Sequence, residues 1–334
     1  MTRIYLSTFA LLGSSVLASP LGPNQCLDIA ADTARLACYD AALGFQAESK
    51  AAQQKPAVAE GKPASPTQLD AGWELEPKSK LGAFVLRSHR ANYFLPVSYN
   101  VRSNRMPHSP AADHRTTTPQ RLQDTEAKFQ FSLKTKLAQN LFGENGDLWA
   151  AYTQTSRWQI YDADNSRPFR ETNYEPEAML VFRTPYRLFG WQGKMLSLGF
   201  NHQSNGRSVP LSRSWNRGIA TIGLEKDDWT LVLRPWWRLP EGGSDDNPDI
   251  ADHIGRGDIT LSRRFGDHLV TVMGRHTFRG AGRSRGAAQL DWAFPLSGNL
   301  KGYVQLFNGY GESLIDYNHR STYIGVGVTL LDSQ

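Results

Sequence analysis

Apolar and polar residues alternate with a period of two through segment after segment from about residue 88 to the end of the chain. Ala127, Phe129, Phe131 and Leu133 alternate with Lys128, Gln130, Ser132 and Lys134. Ala288, Leu290, Trp292 and Phe294 alternate with Gln289 and Asp291, and Ile324, Val326, Val328 and Leu330 with Gly325 and Gly327. Side chains two apart share one face of an extended chain, so each segment reads as a strand with one apolar face and one polar or small face. Bounded by Gly, Pro, Asn and Asp, strands are predicted near 88–102, 126–137, 148–160, 173–185, 195–206, 215–226, 229–240, 253–265, 268–278, 284–296, 299–310 and 319–331, twelve in all.

Alternation alone does not say which face points inward. Three features favour a membrane barrel over a soluble sandwich: strands of about ten residues rather than five, aromatic residues near strand ends, and polar faces rich in charges that can satisfy one another in a lumen. The aromatic residues in question are Trp149, Trp158, Tyr161, Trp215, Trp229, Trp236 and Trp237. The expected architecture is all-β: a twelve-stranded antiparallel transmembrane β-barrel over residues 73–334, with a short N-terminal helical segment and a flexible tether. A closed barrel leaves no unpaired edge in lipid. With the first strand rising from the periplasm, the short connections lie inside and the long ones, 103–125, 161–172, 207–214, 241–252 and 311–318, lie outside.

The start of the chain reads differently. Arg3, an apolar run from Ile4 to Leu17, and the small Ala18 and Ser19 have the layout of a secretory signal peptide over residues 1–18. In an exported chain the only two cysteines, Cys26 and Cys38, read as a disulfide, with free or intermolecular thiols as the alternative. They flank a helix-favouring segment, and continuous helix would hold them roughly 18 Å apart, so a bridge demands a turn, most easily near Asp32 and Thr33. Residues 19–44 are thus expected to form a small stapled helical hairpin. The Ala, Gln, Lys, Pro and Ser composition of 45–72 predicts a flexible linker. The net charge of +5 is spread along the chain, which leaves no nucleic-acid footprint.

Candidate chemistry concentrates between residues 196 and 217. Leu196, Leu198, Phe200, His202 and Ser204 share one face, so an imidazole and a hydroxyl lie about 7 Å apart at their Cα atoms and point the same way. On the next strand Asn216 shares its face with Gly218, Ala220, Ile222 and Leu224. A hairpin pairing Phe200 with Gly218 brings His202 opposite Asn216, whose amide oxygen can accept the ring N–H and fix the tautomer. A polar residue at a strand end is more often the strand simply reaching water. Three such groups on apolar faces are harder to account for that way.

Several blocks carry a resemblance to a known family: Phe169–Pro176, Asn201–Ser208, Ser212–Arg217, Asp245–Ile250 and Gly309–Asn318. In these, from about residue 85 onward, the chain resembles the outer membrane phospholipase A family of Gram-negative bacteria. The resemblance implies hydrolysis of the sn-1 and sn-2 acyl esters of phospholipids and lysophospholipids, with Ca²⁺ as cofactor and a homodimer as the active form. It implies Ser204 as nucleophile, His202 as general base and Asn216 as the group orienting it. It further implies a calcium site made of the Arg207 carbonyl, the Ser212 hydroxyl and the partner subunit's Ser166 carbonyl, with the Gly206 N–H completing an oxyanion site. Read without the family, Ser166 and Ser212 are ordinary loop serines. Gln154 corresponds to a polar dimer-interface residue on the outer wall, although a glutamine lying above the lipid boundary needs no partner. Two departures stand out: Val209 replaces an acidic residue, which weakens the case for a second calcium position, and the chain ends in Gln334 rather than an aromatic residue. The readings from other classes are a non-enzymatic pore or assembly barrel, and a deacylase of another lipid.

Overall fold

The computed structural model describes residues 23–43, 67–280 and 282–331, so the expected leader and most of the expected linker lie outside the described residues. The chain divides into two compact units, Met1–Ala64 and Ser65–Gln334.

In the first unit a 3-10 turn, Pro23–Cys26, leads through a bend into one helix, α1 (Asp32–Ala42). Cys26 and Cys38 are bridged, with their Cα atoms 5.6 Å apart. The expected stapled hairpin thus takes the form of a 3-10 turn bridged to a single α-helix, with the reversal before Asp32 rather than at Asp32 and Thr33. The chain turns between Cys26 and Asp32, where the Cys26 carbonyl accepts from the Ile29 N–H (3.4 Å), and Asp32 in the first turn favours the positive helix end.

In the second unit, a helix α2 (Gln68–Trp73) precedes the short strand β1 (Leu86–Ser88). The long strands follow as β2 (Asn92–Asn100), β3 (Thr125–Ala138), β4 (Asp147–Trp158), β5 (Phe169–Leu188), β6 (Trp191–Ser204), β7 (Ser214–Lys226) and β8 (Trp229–Leu239). After a one-turn helix α3 (Ala251–Ile254) come β9 (Gly257–Phe265), β10 (His268–His276), β11 (Gly286–Ser297), β12 (Leu300–Tyr310) and β13 (Arg320–Leu331). Every neighbour is antiparallel, β13 pairs with β2, and the β3–β4 pairing closes β2–β13 into a twelve-stranded barrel.

Three boundaries differ from those read in the sequence. Residues 67–72 are helix rather than linker: Thr67 caps α2 by accepting from the Asp70 N–H, and the helix is held by the barrel interior. Residues 253–254 belong to α3, which stops at Gly255, whose φ of 89° suits glycine. The first expected strand is broken at His89–Ala91. Ser88 pairs with Leu133 and Tyr93 with Gln130, so two residues are extra, and the chain bows inward there. Charge explains the break, because His89 reaches Glu177 (3.1 Å) while Arg90 reaches Glu175 (2.8 Å) and Glu177 (2.6 Å).

The wall is apolar outside and charged inside. Phe94, Val97, Phe131, Leu198, Phe200, Trp237, Ile259, Val272, Ile324 and Val326 point outward and are exposed, whereas Lys128, Lys134, Lys136, Arg157, Glu171, Glu175 and Arg217 are buried in the lumen. Buried charges persist only when paired, and Glu175 shows how: it accepts from Arg90, Asn201 (2.9 Å) and Arg217 (2.8 Å). Trp149, Trp215 and Trp236, expected to mark the aromatic rims, instead point inward and are almost wholly buried.

Those tryptophans close the barrel at both ends. At the end of the short turns, Leu69, Trp73 and Leu75 of the α2 segment pack on Trp149, Met179, Val181 and Met195. The Leu69 N–H donates to Glu225 (2.7 Å), and Glu74 is paired with Lys136 (2.9 Å) and Arg87. The Lys134 ammonium lies 3.5 Å from the centre of the Trp73 ring. At the end of the long loops, Leu314 and Tyr317 pack with Trp215, Trp236, Ile250 and Ile254, and Glu312 is bonded to Arg157 (2.8 Å) and Lys128 (3.2 Å). Between the two lies a cavity of about 430 Å³.

Trp73→Ala removes both a buried ring and the partner of a buried ammonium. It should cost about 3–5 kcal/mol, read as a lower guanidinium midpoint for unfolding of the barrel in detergent; an unchanged midpoint would show that α2 is not part of the cooperative fold.

Candidate active site

The β6–β7 register sets the site. Phe200 pairs with Gly218, His202 with Asn216 and Ser204 with Ser214, so His202 and Asn216 share one rung of the ladder. Gln203 and Arg217, their alternates, face the lumen with Asn201 and Trp215, which puts His202, Ser204 and Asn216 on the outer wall. All three are half-buried, and they stand at the loop end of the strands. The next rung toward mid-wall is Phe200–Gly218–Trp237, and the rung of Asn216 continues to Leu239, so the polar trio sits directly above an apolar surface.

His202 Nδ1 lies 2.8 Å from Asn216 Oδ1. The other end of that amide, Nδ2, donates to Glu241 Oε1 at 2.9 Å. An ionised carboxylate only accepts, so the amide presents its oxygen to the imidazole, and the ring proton belongs on Nδ1. Nε2 is then left as a lone-pair acceptor on the ring, two residues along the strand from the Ser204 hydroxyl. Burial pushes the Glu241 carboxyl above its usual range; Arg238 and His202 oppose that, while Asp245 and Asp246 add to it.

The loop after Ser204 is held from within. Asn205 is buried; its Nδ2 donates to the Leu211 carbonyl (2.8 Å) and to Glu171 (3.3 Å), and its Oδ1 accepts from the Arg213 N–H (3.0 Å) and the Arg207 N–H (3.3 Å). Gly206 has φ 62°, and a Cβ there would come within 3.0 Å of the Tyr174 ring. Both facts reserve the position for glycine. The Arg213 guanidinium is buried and donates to the carbonyls of Pro210 (3.1 Å) and Ser212 (2.6 Å).

A second loop is stitched onto this one. The Ser214 N–H donates to Asn247 Oδ1 (2.9 Å), and the Ser212 hydroxyl donates to Asp246 Oδ2 (2.5 Å), whose Oδ1 lies 2.9 Å from His114 Nε2. Because Ser212 spends its proton on Asp246, its oxygen lone pairs are free to ligate, and all the oxygens in this corner are hard donors of the kind Ca²⁺ takes. Among the described residues no cluster of three or more His, Cys, Asp or Glu forms a metal site, so a cation bound here depends on neutral oxygens as well. Arg207 is exposed, with its guanidinium on the Arg170 carbonyl (3.2 Å). Ser166 lies apart in the β4–β5 loop, at φ 59°. Gln154 faces outward on β4, where it accepts from the Tyr152 hydroxyl (3.1 Å) and donates to the Ser156 hydroxyl (3.3 Å).

Glu241, Asp246 and Asn205 were not singled out from the sequence. Glu241 sits in a Pro-Glu-Gly-Gly stretch that reads only as a turn, and its partner is twenty-five residues away in sequence. Asp246 falls in the Asp245–Ile250 block, but spacing gives no hint that it meets Ser212.

Comparison with known proteins places these features in context. Residues 69–330 match the family model for phospholipase A1. A putative phospholipase A1 of Neisseria meningitidis serogroup B is 37% identical over 96% of this chain and 94% of its own length. Among solved structures, the Escherichia coli outer membrane phospholipase A active-site mutant, an asparagine replaced by alanine, superposes with a TM-score of 0.70 and 35% identity, covering 81% of this chain and 100% of that one. The Salmonella typhi outer membrane phospholipase dimer with bound calcium gives a TM-score of 0.67 and 36% identity over 75% of this chain and 94% of that one.

Loss of the Asn205 bonds, each worth about 0.5–1.5 kcal/mol, should loosen the loop without unfolding the wall. In Asn205→Ala, amide hydrogen exchange over residues 206–212 is expected to rise by about tenfold or more, with the strands unaffected; unchanged exchange would mean that Asn247 and Arg213 hold the loop alone.

Proposed function

This chain belongs to the phospholipase A1 family, and from that premise we propose that it is a calcium-dependent outer-membrane phospholipase that hydrolyses the sn-1 and sn-2 acyl esters of glycerophospholipids and lysophospholipids. The observation that carries this reading is the rung that joins His202 to Asn216 on the apolar outer wall, beside Ser204. A lipid ester can reach such a group only from the membrane side, and the lumen, filled with ion pairs and closed by aromatic clusters at both ends, offers it no route.

In this mechanism Ser204 Oγ attacks the ester carbonyl as its proton passes to His202 Nε2. The Asn216 oxygen keeps the ring oriented and accepts the Nδ1–H throughout. The Gly206 N–H, on a left-handed backbone, would donate to the negative charge that develops on the carbonyl oxygen. Collapse expels the lysolipid alkoxide, which takes the proton from His202, and leaves Ser204 acylated. A water then gives its proton to Nε2 and attacks the acyl carbonyl, releasing fatty acid and restoring the serine.

Ca²⁺ would be held by the Arg207 carbonyl and Ser212 hydroxyl of one protomer and the partner subunit's Ser166 carbonyl, and when bound it supplies positive charge near the developing oxyanion. Asn cannot lend the full charge of an aspartate, which makes such added charge more valuable here. Site assembly from two chains would keep the enzyme idle as a monomer, with Gln154, already bonded to Tyr152 and Ser156, meeting its counterpart on the outer wall. Export by the N-terminal leader and outward orientation of the long loops complete the proposal.

The test is fatty-acid release from mixed phospholipid–detergent micelles. Ser204→Ala is expected to lower kcat by about a thousandfold or more, and a chelator should abolish release by the wild type, with Ca²⁺ restoring it. A folded, dimeric wild type that releases no fatty acid would overturn the enzyme reading in favour of a non-enzymatic barrel. Release that needs Ser204 but ignores chelator would remove the calcium site alone.

A further inference from the structure

We propose that Glu241 is a positioning residue for this site: it dictates which way the Asn216 amide faces, and through it which nitrogen of His202 carries the proton. The inference rests on the acyl-transfer reading of His202, Ser204 and Asn216 given above.

An asparagine by itself is an ambiguous partner for an imidazole. Its oxygen and nitrogen ends are nearly the same size, and half a turn about the last side-chain bond exchanges them. With oxygen toward His202, the ring proton sits on Nδ1 and Nε2 is a base. With nitrogen toward His202, Asn216 donates instead, the proton moves to Nε2, and no acceptor remains for the serine proton. Gly218, the next residue on the same face of β7, has no side chain with which to choose between these states.

The choice is made from the loop after β8. Asn216 pairs with Leu239, the last residue of that strand, so the chain at Pro240 and Glu241 passes over the outer end of the Asn216 side chain. Glu241 Oε1 accepts from Asn216 Nδ2 at 2.9 Å, and the glutamate side chain is only 9% exposed. It is held in place in turn: Arg238 Nη2 lies 3.8 Å from Glu241 Oε2 and 2.6 Å from Asp245, while Arg238 Nη1 donates to the Pro248 carbonyl at 2.9 Å. An ionised carboxylate in that position penalises the flipped amide by setting oxygen against oxygen. It also places a negative charge one amide away from the imidazolium that forms as Ser204 is deprotonated.

The charged groups facing Glu241 are Arg238, Asp245, Asp246 and His202. Burial, reinforced by Asp245 and Asp246, raises its carboxyl above the usual range against the pull of Arg238 and His202. A protonated Glu241 could donate to the amide oxygen and so favour the flipped state. The site should therefore lose its preferred tautomer on acidification before an ordinary surface glutamate titrates.

Two readouts on the full-length protein in detergent micelles separate this proposal from the one it rests on. The first is the ring tautomer of His202, read from nitrogen shifts in protein labelled with ¹⁵N only at histidine, the resonance being identified by its loss in His202→Ala. The wild type should carry the proton on Nδ1, Glu241→Gln should give a mixture of both tautomers, and Glu241→Asp should restore the wild-type pattern. The second is fatty-acid release. Glu241→Gln should lower kcat by about tenfold or more with KM unchanged, and should remove from the kcat–pH profile the loss of activity that protonation of Glu241 causes. In an Asn216→Ala background the same change should have no further effect on kcat. A His202 tautomer indifferent to Glu241→Gln would overturn the proposal, as would an unchanged kcat with an unchanged pH profile. A tautomer that follows Glu241 in a protein releasing no fatty acid would uphold the positioning role while sinking the phospholipase reading.

Discussion

Every backbone N–H and C=O in a wall surrounded by lipid must find its partner inside the wall, because the surroundings offer none. The β3–β4 pairing meets that demand by closing the ladder. Once the wall is closed, alternation assigns each side chain to lipid or to lumen, and the lumen must satisfy the charges placed there. Glu175 with Arg90, Asn201 and Arg217, and Glu312 with Arg157 and Lys128, are the outcome. So is the inward bow at His89 and Arg90, where the chain gives up two residues of regular pairing to bring charges into reach of Glu175 and Glu177.

The same alternation explains why the polar trio lies outside. A shift of one residue in the β6–β7 register would send His202 and Asn216 to opposite faces of the wall, so their meeting depends on the whole hairpin. The register is held by alternation along the hairpin and by inward contacts such as Trp215 Nε1 to Gln203 (2.8 Å) and Arg217 to Asn201 (3.1 Å). A packed, charged lumen is therefore more than a filler. It fixes from behind the strands whose front surface carries the site.

The loops add a second layer of order. Asn205 ties the Ser204–Arg213 turn to itself and to Glu171, while Asn247 and Asp246 bring the β8–β9 loop onto it. These are side chain to backbone and side chain to side chain bonds between segments far apart in sequence. Loops at a barrel rim can thus hold a hydroxyl, a carbonyl and a carboxylate in fixed relation without regular secondary structure, as a metal or oxyanion site requires.

Local pattern determined the strands, their number, the antiparallel closed barrel and even the rung that pairs His202 with Asn216, because alternation with period two and hairpin pairing are properties of neighbouring residues. It also placed His202, Ser204 and Asn216 on one apolar face before any coordinates. The family resemblance, carried by several blocks of residues, supplied the expectation of a phospholipase activity and of Ca²⁺, which spacing does not reveal. What only the tertiary structure decided is everything that depends on distance across the barrel or between loops. Trp149, Trp215 and Trp236 read as rim aromatics but face the lumen, since rank along a strand does not say what waits on the opposite wall. Residues 68–72 read as linker but are helix, since their order comes from Met179, Met195 and Glu225 rather than from their own propensity. Glu241 was invisible for the same reason: its meaning lies in the orientation of one amide on another strand, and orientation is not written in composition, periodicity or spacing.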